Sequence, residues 1–256
     1  MGTTGATIVI VGAGLAAGTA ATSLRAAGHD GPIVMFGAEQ HPPYERPPLS
    51  KSYLQGKKPF SDALVHEPEW YAANGVDLQL GEEVVAVDRA AQVVRTLSGR
   101  EEAYDRLLLA TGATPRPVPL HDGVTTPVTT LRTVEDSDRI KASFGPGRRI
   151  VIVGAGWIGL EVAAAAREAD TDVTVLEMAD LPLLRVLGPR LGQVFADLHR
   201  AHGVDLRLTH TVVADDFAGA DLVLAAAGVV PNVGLATDAG LDVDNGVLVA
   251  AELRTS

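Results

Sequence analysis

The chain has 256 residues, 46% of them hydrophobic and 21% charged, with a formal net charge of −11. That length and balance suit one large domain or two small ones with real cores, and they exclude wholesale disorder. The acidic balance and an aromatic content of 4% argue against a nucleic-acid surface, and the absence of cysteine excludes a disulfide framework, a thiolate metal or iron–sulfur site and a redox-active thiol within these residues.

No run reaches the roughly 18 apolar residues that a membrane span needs. The apolar run at residues 7–11 is too short for a secretory leader and no Lys or Arg precedes it, which predicts a cytoplasmic protein.

Residues 7–11 (TIVIV) are β-branched and continuous, the pattern of a strand buried on both faces of a parallel sheet. The turn GAGLAAG at 12–18 follows, then an Ala-rich helix stopped by Gly28, and a second strand at 33–36 that runs toward Glu39. Short strands are expected at 76–80, 83–87 and 93–97, and a buried one at 107–109 ending in Ala110, Thr111 and Gly112. Residues 113–127 hold four prolines and read as a linker, and 131–143 as a helix.

The opening order then recurs. Residues 149–153 (RIVIV) lead into GAGWIG at 154–159, a helix to about Ala169, and a strand at 173–176 ending on Glu177. A helix at 191–202 and strands at 204–208 and 222–226 extend this second copy, and 241–256 reads as strand material returning to the first. The fold class is therefore α/β with two Rossmann-like dinucleotide-binding domains, 1–115 plus 241–256 and 116–240.

A dinucleotide pyrophosphate is anionic, and a helix N-terminus offers unpaired N–H groups and the positive end of a dipole. Gly12 and Gly154 permit the tight turn, and Gly14 and Gly156 remove the Cβ that would hold phosphates off. Ala17 and Gly159 let helix and strand pack closely. An acid about twenty residues on accepts hydrogen bonds from the adenosine ribose: Glu177 stands 23 residues after Gly154, and no Lys or Arg follows it through Asp180 to neutralise a 2′-phosphate, which favours NADH over NADPH. One such glycine turn is a generic feature; two in register, each with strand, helix and acid, point to two nucleotide sites, as for a resident flavin and a visiting nicotinamide. His199 and His202 share a helix face at i, i+3 without a third ligand and read as a solvated face rather than a metal site. No G-x-S-x-G or H-E-x-x-H motif occurs, so a hydrolase lacks its nucleophile or metal.

The loop PYERPPLSK at 43–51, with ATG at 110–112, LRTVED at 131–136, WIGLE at 157–161 and GVVPN at 228–232, resembles one family over nearly the whole chain. It is similar to the FAD-dependent, NADH-using ferredoxin and rubredoxin reductases that feed monooxygenases and dioxygenases. These belong to the pyridine nucleotide-disulfide oxidoreductase superfamily, with a glutathione-reductase-like fold, and work without redox cysteines. The resemblance implies FAD and NAD as cofactors and a ferredoxin-type iron–sulfur protein as partner: hydride passes from NADH to the flavin and electrons leave singly. It implies Lys51 near flavin N5, paired with Glu161, as the catalytic groups. It implies FAD contacts at Ala16, Glu39, Arg46, Lys51, Val84 and Arg132, with Ala110–Gly112 closing over the flavin and Arg132 facing its phosphates. On the nicotinamide side it implies Gly154, Gly156, Ile158, Gly159, Glu177 and Gly228.

Three departures from that pattern stand out. Ala38 follows Gly37 where many relatives carry an acid; residues 209–219 are short where relatives carry a β-meander; and the chain stops at Ser256, before the Gly-Asp strand and C-terminal interface domain of relatives. The last departure predicts weakened FAD retention, since one charged hydrogen bond contributes about 1.5–3 kcal/mol and each 1.4 kcal/mol is about tenfold in affinity. The competing reading is a truncated or degenerate nucleotide-binding module without electron transfer. A cysteine-dependent flavin oxidase, peroxidase or disulfide reductase lacks its thiol.

Overall fold

The computed structural model describes residues 5–118 and 126–256, so the middle of the proline-rich linker, residues 119–125, lies outside the described residues. In chain order the elements begin with β1 (Ile8–Val11), α1 (Leu15–Ala26), β2 (Ile33–Gly37), α2 (Pro68–Ala73), β3 (Val76–Leu80), β4 (Val84–Asp88), β5 (Val93–Thr96), β6 (Glu101–Ala103), β7 (Arg106–Leu109) and β8 (Ala113–Pro115). They continue through β9 (Val128–Thr129), α3 (Val134–Lys141), β10 (Arg149–Val153), α4 (Trp157–Glu168), β11 (Asp172–Leu176), α5 (Leu184–Ala201), β12 (Asp205–Arg207) and β13 (Leu222–Ala225). The last are β14 (Val229–Pro231), α6 (Gly234–Asp238), β15 (Val243–Asp244) and β16 (Gly246–Val247).

Contacts divide the chain into two compact units: Met1–Glu45, Ser61–Thr114 and Val230–Ser256 form the first, Arg46–Phe60 and Pro115–Val229 the second. This differs from the sequence-based division at two stretches. Arg46–Phe60 clusters with the second unit, because Leu49 is buried and its carbonyl accepts the Ser137 hydroxyl of α3 at 2.8 Å. Residues 230–240 cluster with the first, where α6 packs on β4.

The first unit is built on a parallel sheet in the order β3-β2-β1-β7. In-register pairs such as Ile10 with Met35 put their side chains on one face, where Ile10, Ile33 and Met35 meet Ala17 and Ala21 of α1 and Tyr71 of α2. The alternate residues Val9, Val11, Val34 and Phe36 point the other way, onto Val84 and Val94 of the antiparallel sheet β4-β5-β6. A continuous apolar β1 is thus buried on both sides, as its sequence demands. The strand expected through 241–256 is confined to the short antiparallel pair β15 and β16, which turns at Asn245 and re-enters the pairing at Gly246, φ +131°.

The second unit repeats the plan with a parallel sheet β12-β11-β10-β13-β9. Leu160, Val162, Ala163 and Ala166 of α4 are buried, and Val151, Val153, Val223, Leu176 and Phe217 form a cluster. The helix α3 starts on a capping box, with Thr133 accepting the Asp136 N–H and Asp136 accepting the Thr133 N–H. α5 begins earlier than the expected residue 191, but its backbone leaves helical geometry at Gly188 (φ +72°) ahead of Pro189, so the two helical pieces adjoin. No strand forms at 209–219, where a single 3-10 turn spans Ala214–Phe217. Among the described residues no helix is long and apolar enough to cross a membrane.

Candidate functional site

The two glycine turns are built alike, one in each unit. Gly12 and Gly154 hold φ of +113° and +110°, a region costly for side-chain-bearing residues. A Cβ on Gly12 would lie 2.1 Å from the Ala110 carbonyl oxygen, and one on Gly154 2.6 Å from that of Ala226. The Gly12 N–H donates to Phe36 O and the Gly154 N–H to Leu176 O, both at 2.8 Å. Each turn is therefore clamped between the strand before it and its two sheet neighbours.

Gly14 and Gly156 then serve as helix N-caps for α1 and α4. Neither offers a side-chain cap, neither helix carries an acid in its first turn, and a Cβ on either glycine would meet nothing within 4 Å. Open space over uncapped N–H groups is what a pyrophosphate requires, so the residues present fit a dinucleotide in both units.

The acids beyond the second strands are placed differently. The Glu177 carboxylate reaches back to its own glycine turn: Oε2 accepts the Ala155 N–H at 2.7 Å, and Oε1 accepts the Ala179 N–H at 2.9 Å. Glu39 instead accepts the Tyr44 hydroxyl at 2.5 Å.

In the first unit the turn opens onto a cavity of about 370 Å³ lined by Gly12, Phe36, Ala38, Glu82, Val84, Thr111 and Asn232 among others. Gly12, Val84 and Thr111 line it together, and Ala38 rather than Glu39 lines the wall. Hydrogen bonds from Ser98 and Thr96 hold the Glu82 carboxyl below the usual carboxylate range. Ala110 and Thr111 sit half-buried and Gly112 takes φ +68°.

In the second unit, Pro47–Ser50 forms a 3-10 turn against α3 and α4. It brings Lys51 Nζ to 2.7 Å from Glu161 Oε2, joining the two expected catalytic groups. The Ser50 hydroxyl donates to the same oxygen at 2.5 Å. Arg46 Nη1 donates to the Arg132 carbonyl at 2.5 Å, so Arg46, expected to contact FAD, and Arg132, expected to face its phosphates, share one corner of the unit.

A family model described as pyridine nucleotide-disulphide oxidoreductase matches residues 6–256. The chain belongs to that family. It is 39% identical over 269 residues to putidaredoxin reductase of Pseudomonas putida, covering 97% of this chain and 64% of the relative. It is 42% identical over 264 residues to the ferredoxin–NAD(+) reductase component of the anthranilate 1,2-dioxygenase system of Burkholderia cepacia, covering 97% and 64%. Among solved structures, the covalent putidaredoxin reductase–putidaredoxin complex matches with a TM-score of 0.94 and 38% identity, over 99% of this chain and 66% of that one. The chain thus spans about 64% of the length of these curated relatives. With no cysteine, these residues carry none of the disulphide chemistry in the family's name.

Of the remaining expected residues, Ala16, Ile158 and Gly228 lie on the surface of their units and Gly159 is buried. Ala16 and Ile158 are exposed in the first turns of α1 and α4, and Gly228, at φ +91°, accepts the Arg116 N–H at 2.8 Å. Gly159 is buried where a Cβ would lie 2.1 Å from the Gly154 oxygen.

Sequence reasoning missed Asn232, which ties the 110–112 turn in place. Its Nδ2 donates to Thr111 O at 2.9 Å, its backbone carbonyl accepts the Thr111 hydroxyl at 2.7 Å, and its Oδ1 accepts the Thr114 hydroxyl at 2.7 Å. The GVVPN motif was the available signal. His199 does not lie on a solvated face. It is 8% exposed rather than solvated, with Nδ1 at 2.9 Å from Phe195 O and Nε2 at 3.2 Å from Leu160 O, because the first turns of α4 pack over that side of α5.

Proposed function

We propose that the chain carries the FAD-binding unit and the NADH-binding unit of a flavoprotein reductase. Its electrons pass to a ferredoxin-type iron–sulfur protein serving an oxygenase. The observation that carries the reading is the pair of uncapped glycine turns, one per unit, accompanied by the Lys51–Glu161 contact in a chain without cysteine. The names of the relatives agree in class: putidaredoxin reductase, rhodocoxin reductase and reductase components of dioxygenase systems.

Bound FAD supplies what no side chain here can, acceptance of two electrons from NADH and their release one at a time. The chain's own residues bind and orient. The N–H groups beyond Gly14 and Gly156 take up phosphate charge at the helix N-termini. Glu177 uses one lone pair of each oxygen on the protein backbone and keeps the others to accept ribose hydroxyls. The stretch after it (Met178, Ala179, Asp180) has no cation for a 2′-phosphate, so NADH is preferred. Lys51 and Glu161 hold an ammonium and a carboxylate together, and the pair keeps its own charges fixed while the charge next to it changes.

The test is anaerobic: the purified chain, supplied with FAD, is mixed with NADH and the visible flavin band followed, then ferricyanide or a ferredoxin is added. The reading expects bleaching by NADH faster than by NADPH, and reoxidation by the acceptor above the rate of free flavin. Absence of bleaching above the free-flavin background refutes it.

A further inference from the structure

We propose that Ser50 is a positioning residue: its hydroxyl fixes the Glu161 carboxylate in the orientation that captures Lys51. The inference deepens the reductase reading and rests on it only for what the pair does, not for its geometry.

Two donors converge on one oxygen. Glu161 Oε2 accepts the Ser50 hydroxyl at 2.5 Å and the Lys51 ammonium at 2.7 Å. The donors differ in how firmly they are held. Ser50 is 5% exposed, in a 3-10 turn that opens on two prolines and whose Leu49 carbonyl is bound by Ser137 of α3 at 2.8 Å. Its Oγ is therefore placed by buried backbone. The Lys51 side chain is 52% exposed on a flexible stem, and Glu161 is 25% exposed. An ion pair so exposed imposes little geometry by itself, because each partner regains water and rotamer freedom when it opens.

The hydroxyl's other acceptor in reach, Pro47 O, is longer at 3.3 Å, so the shorter bond goes to the carboxylate. A hydrogen bond to a charged acceptor is also the stronger kind. Ser50 thus works through Glu161 on Lys51: the buried hydroxyl selects the carboxylate rotamer, and the rotamer brings in the ammonium.

The chain supplies its own internal standards for a test, since its four lysines are Lys51, Lys57, Lys58 and Lys141. The purified chain, without added cofactor, is trace-labelled with acetic anhydride, and the labelling of each lysine is read by peptide mass spectrometry. Glu161→Gln sets the effect of breaking the pair. Ser50→Ala is expected to raise Lys51 labelling by about threefold to fivefold, the range that opening an exposed ion pair allows, and to leave Lys57, Lys58 and Lys141 at the wild-type rate. Ser50→Thr, which keeps the hydroxyl, is expected to label as wild type. If Ser50→Ala fails to fold, Ser50→Cys, nearly isosteric but a weak donor, takes its place with the same expectation. Unchanged Lys51 labelling in the Ala or Cys variant overturns the proposal. So does a parallel rise at Lys57 and Lys58, which marks a loosened loop. Because no cofactor is present, this result stands or falls separately from the NADH bleaching experiment.

Discussion

The two glycine turns reach one geometry by different means. In the first unit the third position is Ala17, fully buried, and its Cβ is part of the core with Ile10 and Met35. In the second it is Gly159, where a Cβ would run into the Gly154 oxygen at 2.1 Å, so α4 lies closer to its turn than a methyl allows. The acids diverge similarly: Glu177 is wired into its own turn through the Ala155 N–H, whereas Glu39 is engaged by Tyr44. The second turn is thus fixed by backbone approach and a carboxylate, the first by side-chain packing, although the two motifs differ by few letters.

Exchanging the third positions should produce the largest effect. Gly159→Ala overpacks a backbone contact and is expected to destabilise the chain by about 3 kcal/mol. Ala17→Gly, which removes a buried methyl from a helix, is expected to cost about 1–2 kcal/mol. Urea unfolding of both variants checks this, and equal costs would erase the distinction. Next in size, Glu177→Gln should cost about 2 kcal/mol, because an amide cannot accept from both the Ala155 and Ala179 N–H groups. Glu39→Gln should cost about 1 kcal/mol, since it leaves its glycine turn untouched. The Lys51–Glu161 pair should contribute no more than about 1 kcal/mol to stability in a double-mutant cycle, given the exposure of the lysine.

The smallest effect is on pH dependence, and both groups that show it lie in the second unit. Burial alone would raise the carboxyl of Asp216, in the second unit, but the Val213 N–H, His210 and Arg207 more than offset this and hold it below the usual range. A carboxyl depressed by folding contributes stability that is fully present above its unfolded value of about 4 and is lost as pH falls through the folded value. Asp216→Asn should flatten that part of the acid unfolding profile. At the other extreme, burial and then the Asp138 hydrogen bond push Tyr53 up to about 12. The stability it contributes is present below about pH 10 and lost as pH rises through 12, and Tyr53→Phe should remove one late step from the tyrosinate absorbance titration.

Much of this was legible in the residues. The β-branched runs at β1 and β10 and the glycines behind them are local patterns, so the sheet centres and turns follow from sequence directly. Lys51 and Glu161 stand 110 residues apart, and only a family resemblance joined them before the fold did. Other features depend on neighbours that no local pattern names. Asn232 returns to the 110–112 turn across a whole intervening unit of chain, and the Glu177 carboxylate bends back to Ala155. His199 is buried by α4, a helix that ends at Glu168, 31 residues before it. The position of Arg46–Phe60 was missed for the same reason: a proline-rich loop has no periodicity, and its allegiance is set by Ser137 and Glu161.

The central claim, one nucleotide per unit, is tested most directly by calorimetric titration of the chain with FAD and with NADH, in Gly14→Val and Gly156→Val variants. Both glycines have ordinary φ values of −93° and −80° and open space at the Cβ, so the substitutions block phosphate approach while the fold is kept. The account predicts that Gly14→Val abolishes FAD binding and spares NADH, and that Gly156→Val does the reverse. Loss of both ligands in either variant, or loss of neither, would contradict it.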